Sequence, residues 1–580
     1  MPPALLLAAL TLAAPLQETS VAAQAPRSLL EAVPADARLA LVVEDLPALW
    51  STAKASAWAE VARAPAFAAL WEQVREPLLE DVPDELEQAA DLFEGLQSLV
   101  LYAAPSEALD EFPWGLAVRL RPGQDHLRVL LIEVLGENSE KVEHQARQIT
   151  IRQDGDAWTA ALAWRDGLVF SGDPQRGAAL DRATLLAQRL EQGPSGTSLS
   201  TRIAARRQVG DFAIELFADL GAIARAFRPA EEELSAGELA VWDALGLDTL
   251  DWLSLQARLG EGVASEGLMR VDIPSAGLLA RWAACARPAP LELARLAPAN
   301  AIEVAVLGFD AAAAWRALRE TFAQSMPEQA AQIDAALEAA RSAAGIDIEQ
   351  DLIANLSGEF AEILLPVEPS AAETALEMAA GMAMSSAFFA FSSFPGSLPG
   401  SAVVIGLRDT DPVEELLETL IELGEASEAI EDEEVGGRWM TTWIAMPDFP
   451  LRPTWAFLDG ALVYSLHAEP VRALLRQAAE GAPPSWLEAE GRRTALAEND
   501  GAFMSSSADL EGWVQSQVVS PLASLSELAG ELVGEEHELN AAVVSLALEL
   551  PDLVAKHLRG TMGSCAWIEG EALHHRFWTR

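Results

Sequence analysis

The side chains best suited to metal chemistry in this chain are its seven histidines, and two local patterns resemble ligand motifs. His537 and Glu538 begin like the HExxH zinc motif, but Ala541 occupies the position of the second histidine ligand. His574 and His575 are adjacent, so in a strand they point to opposite faces and cannot readily share one metal ion. We therefore predict no metal site at these positions.

The carboxylates are too numerous for spacing alone to identify a catalytic pair. With 88 aspartates and glutamates, some pair always lies close, and it becomes informative only with a cleft and perturbed pKa values. Asp154 and Asp156, like Asp409 and Asp411, have calcium-like spacing without the rest of an EF-hand loop. Gly-Lys, needed for a phosphate-binding loop, and Gly-x-Ser-x-Gly are both missing. The sequence thus predicts no catalytic residue, metal ligand or cofactor.

The charge of the chain excludes some classes of partner. The formal net charge is −49, from 88 acidic and 39 basic residues. Such a polyanion repels nucleic acid and anionic membrane surfaces, so neither is a predicted partner. Half of the residues are hydrophobic, which is ample for packed cores.

The N-terminal 25 residues are typical of a secretory signal peptide. The apolar run from Ala4 to Leu16 is too short to span a bilayer, and polar residues follow it. Cleavage is predicted after Ala22 or after Ala25. We expect an exported protein with no transmembrane span in the mature chain, located in the periplasm, the cell envelope or the medium.

Two cysteines, Cys285 and Cys565, are the only ones in the sequence. In an oxidising compartment they are able to pair. The alternative is two isolated buried thiols, since cysteine is often simply a small core residue.

The sequence of the first half recurs in the second half. Residues 33–50, VPADARLALVVEDLPALW, return as residues 296–315, LAPANAIEVAVLGFDAAAAW. Each copy predicts a strand, an acidic helix cap (Asp45 or Asp310) and a tryptophan in the helix. We interpret Trp50 and Trp315 as core anchors of that helix.

A second landmark is a predicted β-hairpin followed by a helix. Asp166-Gly167 and Asp459-Gly460 each lie between β-rich runs, and both residue types tolerate positive φ in a tight turn. Together with the Pro-Ala-Asp opening, the strand and its acidic cap, this pattern resembles a family of exported bacterial proteins catalogued as a domain of unknown function. The resemblance covers most of the mature chain and implies export and a repeated α+β fold. It supplies no catalytic residue.

Hairpins interleaved with amphipathic helices favour an α+β fold over a doubly wound parallel sheet. We predict two tandem homologous domains, each a curved antiparallel sheet with helices packed on one side of it. The predicted boundaries are 1–25 for the signal peptide, 26–288 for the first repeat and 289–580 for the second. Strands are also predicted near the end of each copy, whereas Asp125 to Gly136 fits either a strand or a helix.

The largest difference between the two copies is an uncharged segment at about 367–400. No charged residue occurs between Glu377 and Arg408. Three interpretations are open: a helix packed on its own domain, a pliable apolar contact surface, or a membrane span at the short limit of length. The candidate contact residues are Met382, Met384, Phe388, Phe389, Phe391 and Phe394.

The function predicted from these features is binding rather than catalysis. We expect an exported non-enzymatic binding or scaffold protein that contacts an unidentified protein or apolar ligand through this insertion. The alternative is a secreted hydrolase that uses paired carboxylates in a cleft between the halves. An enzyme requires converging acids with perturbed pKa values, and a binding module requires an exposed apolar patch.

Overall fold

A computed structural model describes most of the chain between Ser28 and Arg580. The described residues are 28–65, 67–68, 95–104, 113–133, 139–155, 157–193, 197–204, 212–228, 236–260, 262–274, 276–366, 400–423, 429–444, 452–480, 486–488, 492, 496, 501–516 and 538–580. The predicted signal peptide and almost all of the insertion therefore lie outside the described residues.

The chain divides into two compact units. Unit 1 comprises Met1–Glu60, Trp71–Ala230 and Leu247–Asp272. Unit 2 comprises Val61–Leu70, Glu231–Gly246 and Ile273–Arg580. Both mix helices with a large antiparallel sheet, so the predicted α+β class is confirmed.

Ten described strands of unit 1 form one antiparallel sheet. Their order is β10-β9-β8-β1-β2-β3-β7-β6-β5-β4. The strands are β1 (Leu39–Val43), β2 (Leu96–Ala103), β3 (Trp114–Leu120), β4 (Glu140–His144), β5 (Arg147–Asp154), β6 (Ala157–Trp164), β7 (Gly167–Asp173), β8 (Ile214–Asp219), β9 (Trp252–Leu259) and β10 (Ser265–Asp272).

Helices of unit 1 pack on both faces of its sheet, which corrects the expectation of one covered side. The helices from residue 46 to 227 are α1 (Leu46–Ala55), α2 (Ala57–Ala62), α3 (Asp125–Glu133), α4 (Arg176–Gln192), α5 (Leu199–Ile203) and α6 (Leu220–Phe227). On the inner face, α4 and α5 share a core with Ala117 of β3. On the outer face, α1 and α3 pack with Leu116 and Val118 of the same strand. Successive strand residues point to opposite faces, so both faces of β3 are apolar and both need cover.

Unit 2 contains a second ten-stranded antiparallel sheet among its described residues. Its order is β20-β19-β18-β11-β12-β13-β17-β16-β15-β14, which repeats the order of unit 1 strand for strand. The strands are β11 (Glu303–Gly308), β12 (Leu356–Leu364), β13 (Ser401–Leu407), β14 (Ile430–Val435), β15 (Arg438–Trp443), β16 (Thr454–Leu458), β17 (Ala461–Ser465), β18 (Met504–Asp509), β19 (Thr561–Glu569) and β20 (Ala572–Thr579).

The inner face of this second sheet carries the main core of unit 2. The helices from residue 236 onward are α7 (Ala236–Leu245), α8 (Gly277–Ala283), α9 (Ala311–Ser325), α10 (Pro327–Ala344), α11 (Asp411–Leu423), α12 (Ala468–Ala479), α13 (Leu510–Val514) and α14 (Glu538–His557). Val471, Leu474 and Leu475 of α12 are buried against Val463 and Met440 of the sheet. The side chains that point away from this core therefore define an outer face.

The helix caps predicted from sequence are present. The carboxylate of Asp45 accepts a hydrogen bond from the Ala48 amide at 3.0 Å, and that of Asp310 accepts one from Ala313 at 2.9 Å. The tryptophans of these two helices, however, are only partly buried, so the expectation of core anchors was wrong. Each lies beside a cation one turn later: the Lys54 Nζ is 5.1 Å from the Trp50 ring centroid, and the Arg319 guanidinium is 5.8 Å from Trp315.

Both predicted hairpins form, but their turns differ. Asp459 and Gly460 are the turn residues between β16 and β17, with φ of 48° and 82°. In unit 1 the turn falls one residue earlier, because Gly167 already pairs with Trp164 as the first residue of β7. A Cβ on Gly167 would lie 1.9 Å from the Val118 carbonyl oxygen, so glycine is needed for strand approach rather than for the turn.

The remaining sequence predictions concern cysteine, α3 and membrane spans. Cys285 and Cys565 are both buried and are not joined by a disulfide, which agrees with the interpretation of two separate buried thiols. The ambiguous segment that begins at Asp125 is the helix α3. Within the described residues, no helix has both the length and the apolarity needed to cross a bilayer.

Candidate binding surface on unit 2

The six contact residues predicted from sequence, Met382, Met384, Phe388, Phe389, Phe391 and Phe394, lie outside the described residues. The two ends of their segment are adjacent in the sheet, since the Leu365 amide donates to the Gly400 carbonyl at 2.9 Å. The insertion therefore leaves and rejoins unit 2 at one end of the β12–β13 pair.

Among the described strand residues of unit 2, two tryptophans of β15 are the most exposed large apolar side chains. Trp439 is 64% exposed and Trp443 is 46% exposed. They are four residues apart in a strand, so they share a face about 13 Å apart. The alternate residues Met440 and Thr442 are buried on the opposite, inner face. Burial of β15 on its inner face thus fixes both tryptophans toward the outside.

Aromatic residues continue across the next two strands in register. Thr441, between the two tryptophans, pairs with Trp455 of β16, and Trp455 pairs with Tyr464 of β17. Phe457 lies two residues after Trp455 and so shares its face. Burial raises the pKa of the Tyr464 phenol. We call Trp439, Trp443, Trp455, Phe457 and Tyr464 the aromatic surface.

The strand β14 adds carboxylates beside this surface. Glu434 pairs with Trp439, and Asp432 pairs with Thr441, whose hydroxyl donates to the Asp432 carboxylate at 2.8 Å. Glu433 points to the other face and binds Arg472 of α12, with the closest contact at 2.6 Å. The Arg472 guanidinium lowers the pKa of Glu433 by hydrogen bonding. The outer face therefore has aromatic rings bordered by Asp432 and Glu434.

Most of the equivalent positions of unit 1, counted from the closing pair of each hairpin, carry different chemistry, although Glu143 stands where unit 2 has Glu434. Gln148 stands where unit 2 has Trp439, and Lys141 stands where unit 2 has Asp432. Ala161, 1% exposed, stands where unit 2 has Trp455. Leu131 and Ile132 of α3 pack on the cluster of unit 1 that contains Ala161. The aromatic surface is therefore a feature of unit 2 alone among these matched positions.

A carboxyl pair lies on the same outer face, nearer the centre of the sheet. Glu362 of β12 pairs with Ala305, so Glu303 is its diagonal neighbour on the next strand. The Cα atoms of such diagonal neighbours lie about 7 to 8 Å apart. Burial, with a further contribution from the Glu362 charge, raises the pKa of Glu303 to about 7, although a hydrogen bond from Trp513 opposes the shift. The hydroxyl of Ser401 donates to Glu362 at 2.6 Å. Glu303 has the largest pKa shift among the described carboxyl groups for which a value is resolved.

A small open cavity of about 170 Å³ lies between α10 and the π-helical turn Ile348–Leu352. Its charges already pair with each other: Arg319 contacts Glu349 at 3.1 Å, and Arg341 contacts Asp347 at 2.7 Å. Within the described ranges, no group of three or more His, Cys, Asp or Glu side chains has the arrangement needed to hold a metal ion. His574 and His575 point to opposite faces of β20, with His574 stacked on Trp567 at 5.2 Å.

The aromatic surface was not found by sequence reasoning, although a signal for it exists. The sequence interpretation considered Trp50 and Trp315, because a tryptophan recurs at that position in both copies. Trp439 and Trp443 do not recur, but their spacing of four in an alternating strand, followed by Trp455 and Phe457 two apart, indicates one aromatic face.

Comparison with known proteins assigns no family. No protein-family model matches the chain, and no curated protein matches it. Among solved structures, it is similar to crystal forms III and I of TP0453, each at 10% sequence identity and a TM-score of 0.23. The match covers 43% of this chain and 80% or 79% of that chain. A likeness this weak supports no conclusion about fold family or function.

Proposed function

We propose that this chain is an exported binding protein, built from two homologous α+β repeats, that contacts its partner through the aromatic surface of unit 2. The observation that carries the proposal is the exposure of Trp439 and Trp443 on one strand face. Large exposed aromatic patches mark contact sites, and tryptophan is enriched among residues that dominate binding energy. The same strand order in both units supports the repeat, and residues 1–25 support export.

The insertion at 367–400 is the second part of the proposed contact region. It enters and leaves between β12 and β13, and β13 pairs directly with β17 of the aromatic surface. We therefore propose that Met382, Met384, Phe388, Phe389, Phe391 and Phe394 extend the aromatic surface rather than form a separate site.

Site-specific photo-crosslinking in an envelope extract of the native cell tests this proposal. A photoreactive residue at Thr441 is expected to give a discrete crosslinked product, whereas the same residue at Gln148 of unit 1 gives none. The product is expected to disappear in the variant Trp439→Ala/Trp443→Ala and to remain in Lys141→Ala/Gln148→Ala. Identical products at both positions, or none at Thr441, contradict the proposed contact surface.

A second variant tests the role of the insertion. Replacing residues 367–399 by residues 105–112 of unit 1, which join the matched strands β2 and β3, shortens the connection without separating its ends. We expect the yield of the crosslinked product to fall while the Tm of the protein stays nearly constant. An unchanged yield limits the contact region to the aromatic surface.

The hydrolase alternative now has one specific observation in its favour, which is the raised pKa of Glu303 beside Glu362. An acid with a pKa near neutrality is suited to proton transfer. Chromogenic glycoside and peptide substrates test it. Turnover by the parent protein that is lost in both Glu303→Gln and Glu362→Gln supports a hydrolase. Absence of turnover by the parent protein contradicts the hydrolase alternative.

A further inference from the structure

Within the part of the chain that the structure describes, the strand β14 is an edge of the sheet of unit 2. Among the described residues β14 pairs with β15 alone, so its other side offers unpaired backbone N–H and C=O groups. An extended segment is able to add there as a further strand. Four consecutive acids, Glu431 to Glu434, repel a second copy of the same edge and attract a positively charged strand.

Some tryptophans elsewhere in this protein, though not all of them, lie beside an arginine or a lysine. Arg202 lies 4.7 Å from the ring centroid of Trp252, and Arg492 lies 4.9 Å from that of Trp486. Further Trp–cation contacts occur at Trp50, Trp158, Trp164, Trp315 and Trp578. Within the part of the chain that the structure describes, Trp439 and Trp443 have no such cation although Asp432 and Glu434 lie beside them. The arrangement is complementary to a cation that comes from another molecule.

The spacing of the strands allows one side chain to reach both features. A strand added to β14 would lie about 5 Å from it and about 10 Å from β15. Every second side chain of that strand would point to the outer face, next to Asp432 or Glu434. An arginine at such a position is long enough to pair with the carboxylate and to place its guanidinium plane near the rings of Trp439 or Trp443.

From these features we propose that β14 and the aromatic surface bind an extended, arginine- or lysine-rich polypeptide segment as an additional strand. The inference rests on the proposed binding function and names its partner class. Backbone pairing with β14 sets the position of the segment, and its alternate basic side chains contact Asp432, Glu434 and the two tryptophans.

Titration of the full-length protein with synthetic peptides tests the inference. The probe is a peptide of about ten residues, or about 33 Å as a strand, that alternates arginine and threonine. A matched peptide replaces each threonine by proline, which keeps the charge but removes half of the backbone donors. We expect calorimetry to show binding of the threonine peptide at least about tenfold tighter than that of the proline peptide.

Variants distinguish this site from general attraction to an acidic protein. Trp439→Ala/Trp443→Ala and Asp432→Asn/Glu434→Gln are each expected to weaken binding of the arginine–threonine peptide by about tenfold or more. Lys141→Ala/Gln148→Ala, at the matched positions of unit 1, is expected to change it by less than about twofold. Hydrogen exchange is expected to slow at the amides of β14 when the threonine peptide is bound. Circular dichroism of each variant checks that it is folded.

Three outcomes overturn the inference. Equal affinity for the threonine and proline peptides, or equal affinity of all variants, means that only net charge is recognised. Binding of a neutral oligosaccharide such as cellohexaose at the two tryptophans, without binding of the peptide, assigns the surface to a different ligand class. In that case the crosslinking result at Thr441 still stands, so failure of the peptide inference is separable from failure of the proposed function.

Discussion

Among the described residues for which a pKa value is resolved, Glu303 is the one whose ionisation is most strongly coupled to folding. Its pKa is raised from 4.5 to about 7 because burial and the neighbouring Glu362 disfavour the charged form. The folded state therefore binds a proton more tightly than the unfolded state. Ionisation of Glu303 weakens folding progressively as the pH rises from about 4.5 to about 7, and the cost is fully present above that range.

We predict that Glu303→Gln removes this cost. At pH 8 the variant should be more stable than the parent by about 1 to 3 kcal/mol, whereas at pH 5 the two should be nearly equal. Urea unfolding at both pH values measures the difference, with the exposed Glu415→Gln as the control variant. A constant difference at the two pH values contradicts the assignment of the shift to Glu303.

Individual residues were predictable where one local interaction determines their role. The capping aspartates Asp45 and Asp310 are such cases, because their partner amides are three residues away in sequence. The burial of Trp50 and Trp315 was predicted wrongly, because the position of a residue along a helix does not determine which side of the helix packs against the sheet. Trp439 was missed for the related reason that exposure depends on strands distant in sequence.

At the level of elements, close approach of strands sets some residue choices more tightly than turn geometry does. Gly167 begins β7 and lies directly against β3, where the Val118 carbonyl leaves no room for a side chain. A methyl group added at Gly177, in the first turn of α4, would instead point into open space, with no contact within 4 Å beyond its own helix backbone. The two glycines therefore have opposite tolerances.

We predict that Gly167→Ala destabilises the protein by about 3 kcal/mol, because the β3–β7 pair must separate to admit the methyl group. Gly177→Ala should instead be neutral or stabilising by up to about 1 kcal/mol, since alanine is the better helix former. Thermal unfolding of both variants tests this contrast. A Gly167→Ala protein as stable as the parent would show that β3 and β7 are less closely paired than described.

Elements with a clear period were predicted from sequence, and elements without one were not. The strands β9, β10, β19 and β20 were expected because alternating residues and tight turns define them locally. The segment that begins at Asp125 was ambiguous because its apolar residues follow each other without a period. Packing decides it: Leu127 of α3 is 2% exposed, whereas Val129 is 57% exposed, a distribution that only the folded outer face determines.

At the scale of the whole molecule, one strand order supports two different outer surfaces. At matched positions unit 1 presents Lys141 and Gln148, while unit 2 presents Asp432 and Trp439. The inner faces instead keep the same character, with Ile149 in unit 1 matched by Met440 in unit 2, both buried. The sheet thus constrains the core side of each hairpin and leaves its outer side free to diverge toward binding.

The net charge of −49 leads to a prediction for the complete protein. Like charges on a compact chain repel each other more than on an expanded one, so screening should stabilise the folded state. Raising NaCl from about 10 mM to about 1 M shortens the Debye length from about 30 Å to about 3 Å. We expect the Tm to rise by about 2 to 4 °C for each kcal/mol of repulsion removed. Scanning calorimetry at neutral pH measures this rise.

The same titration at a pH near the isoelectric point of about 4.4 separates charge repulsion from other effects of salt. There the net charge is close to zero, so the gain in Tm should largely vanish. A gain of equal size at both pH values would assign the stabilisation to exclusion of salt from apolar surface rather than to screening. It would also weaken the view that acidity of this chain governs which molecules approach it, because a field too weak to affect folding is too weak to attract a basic partner.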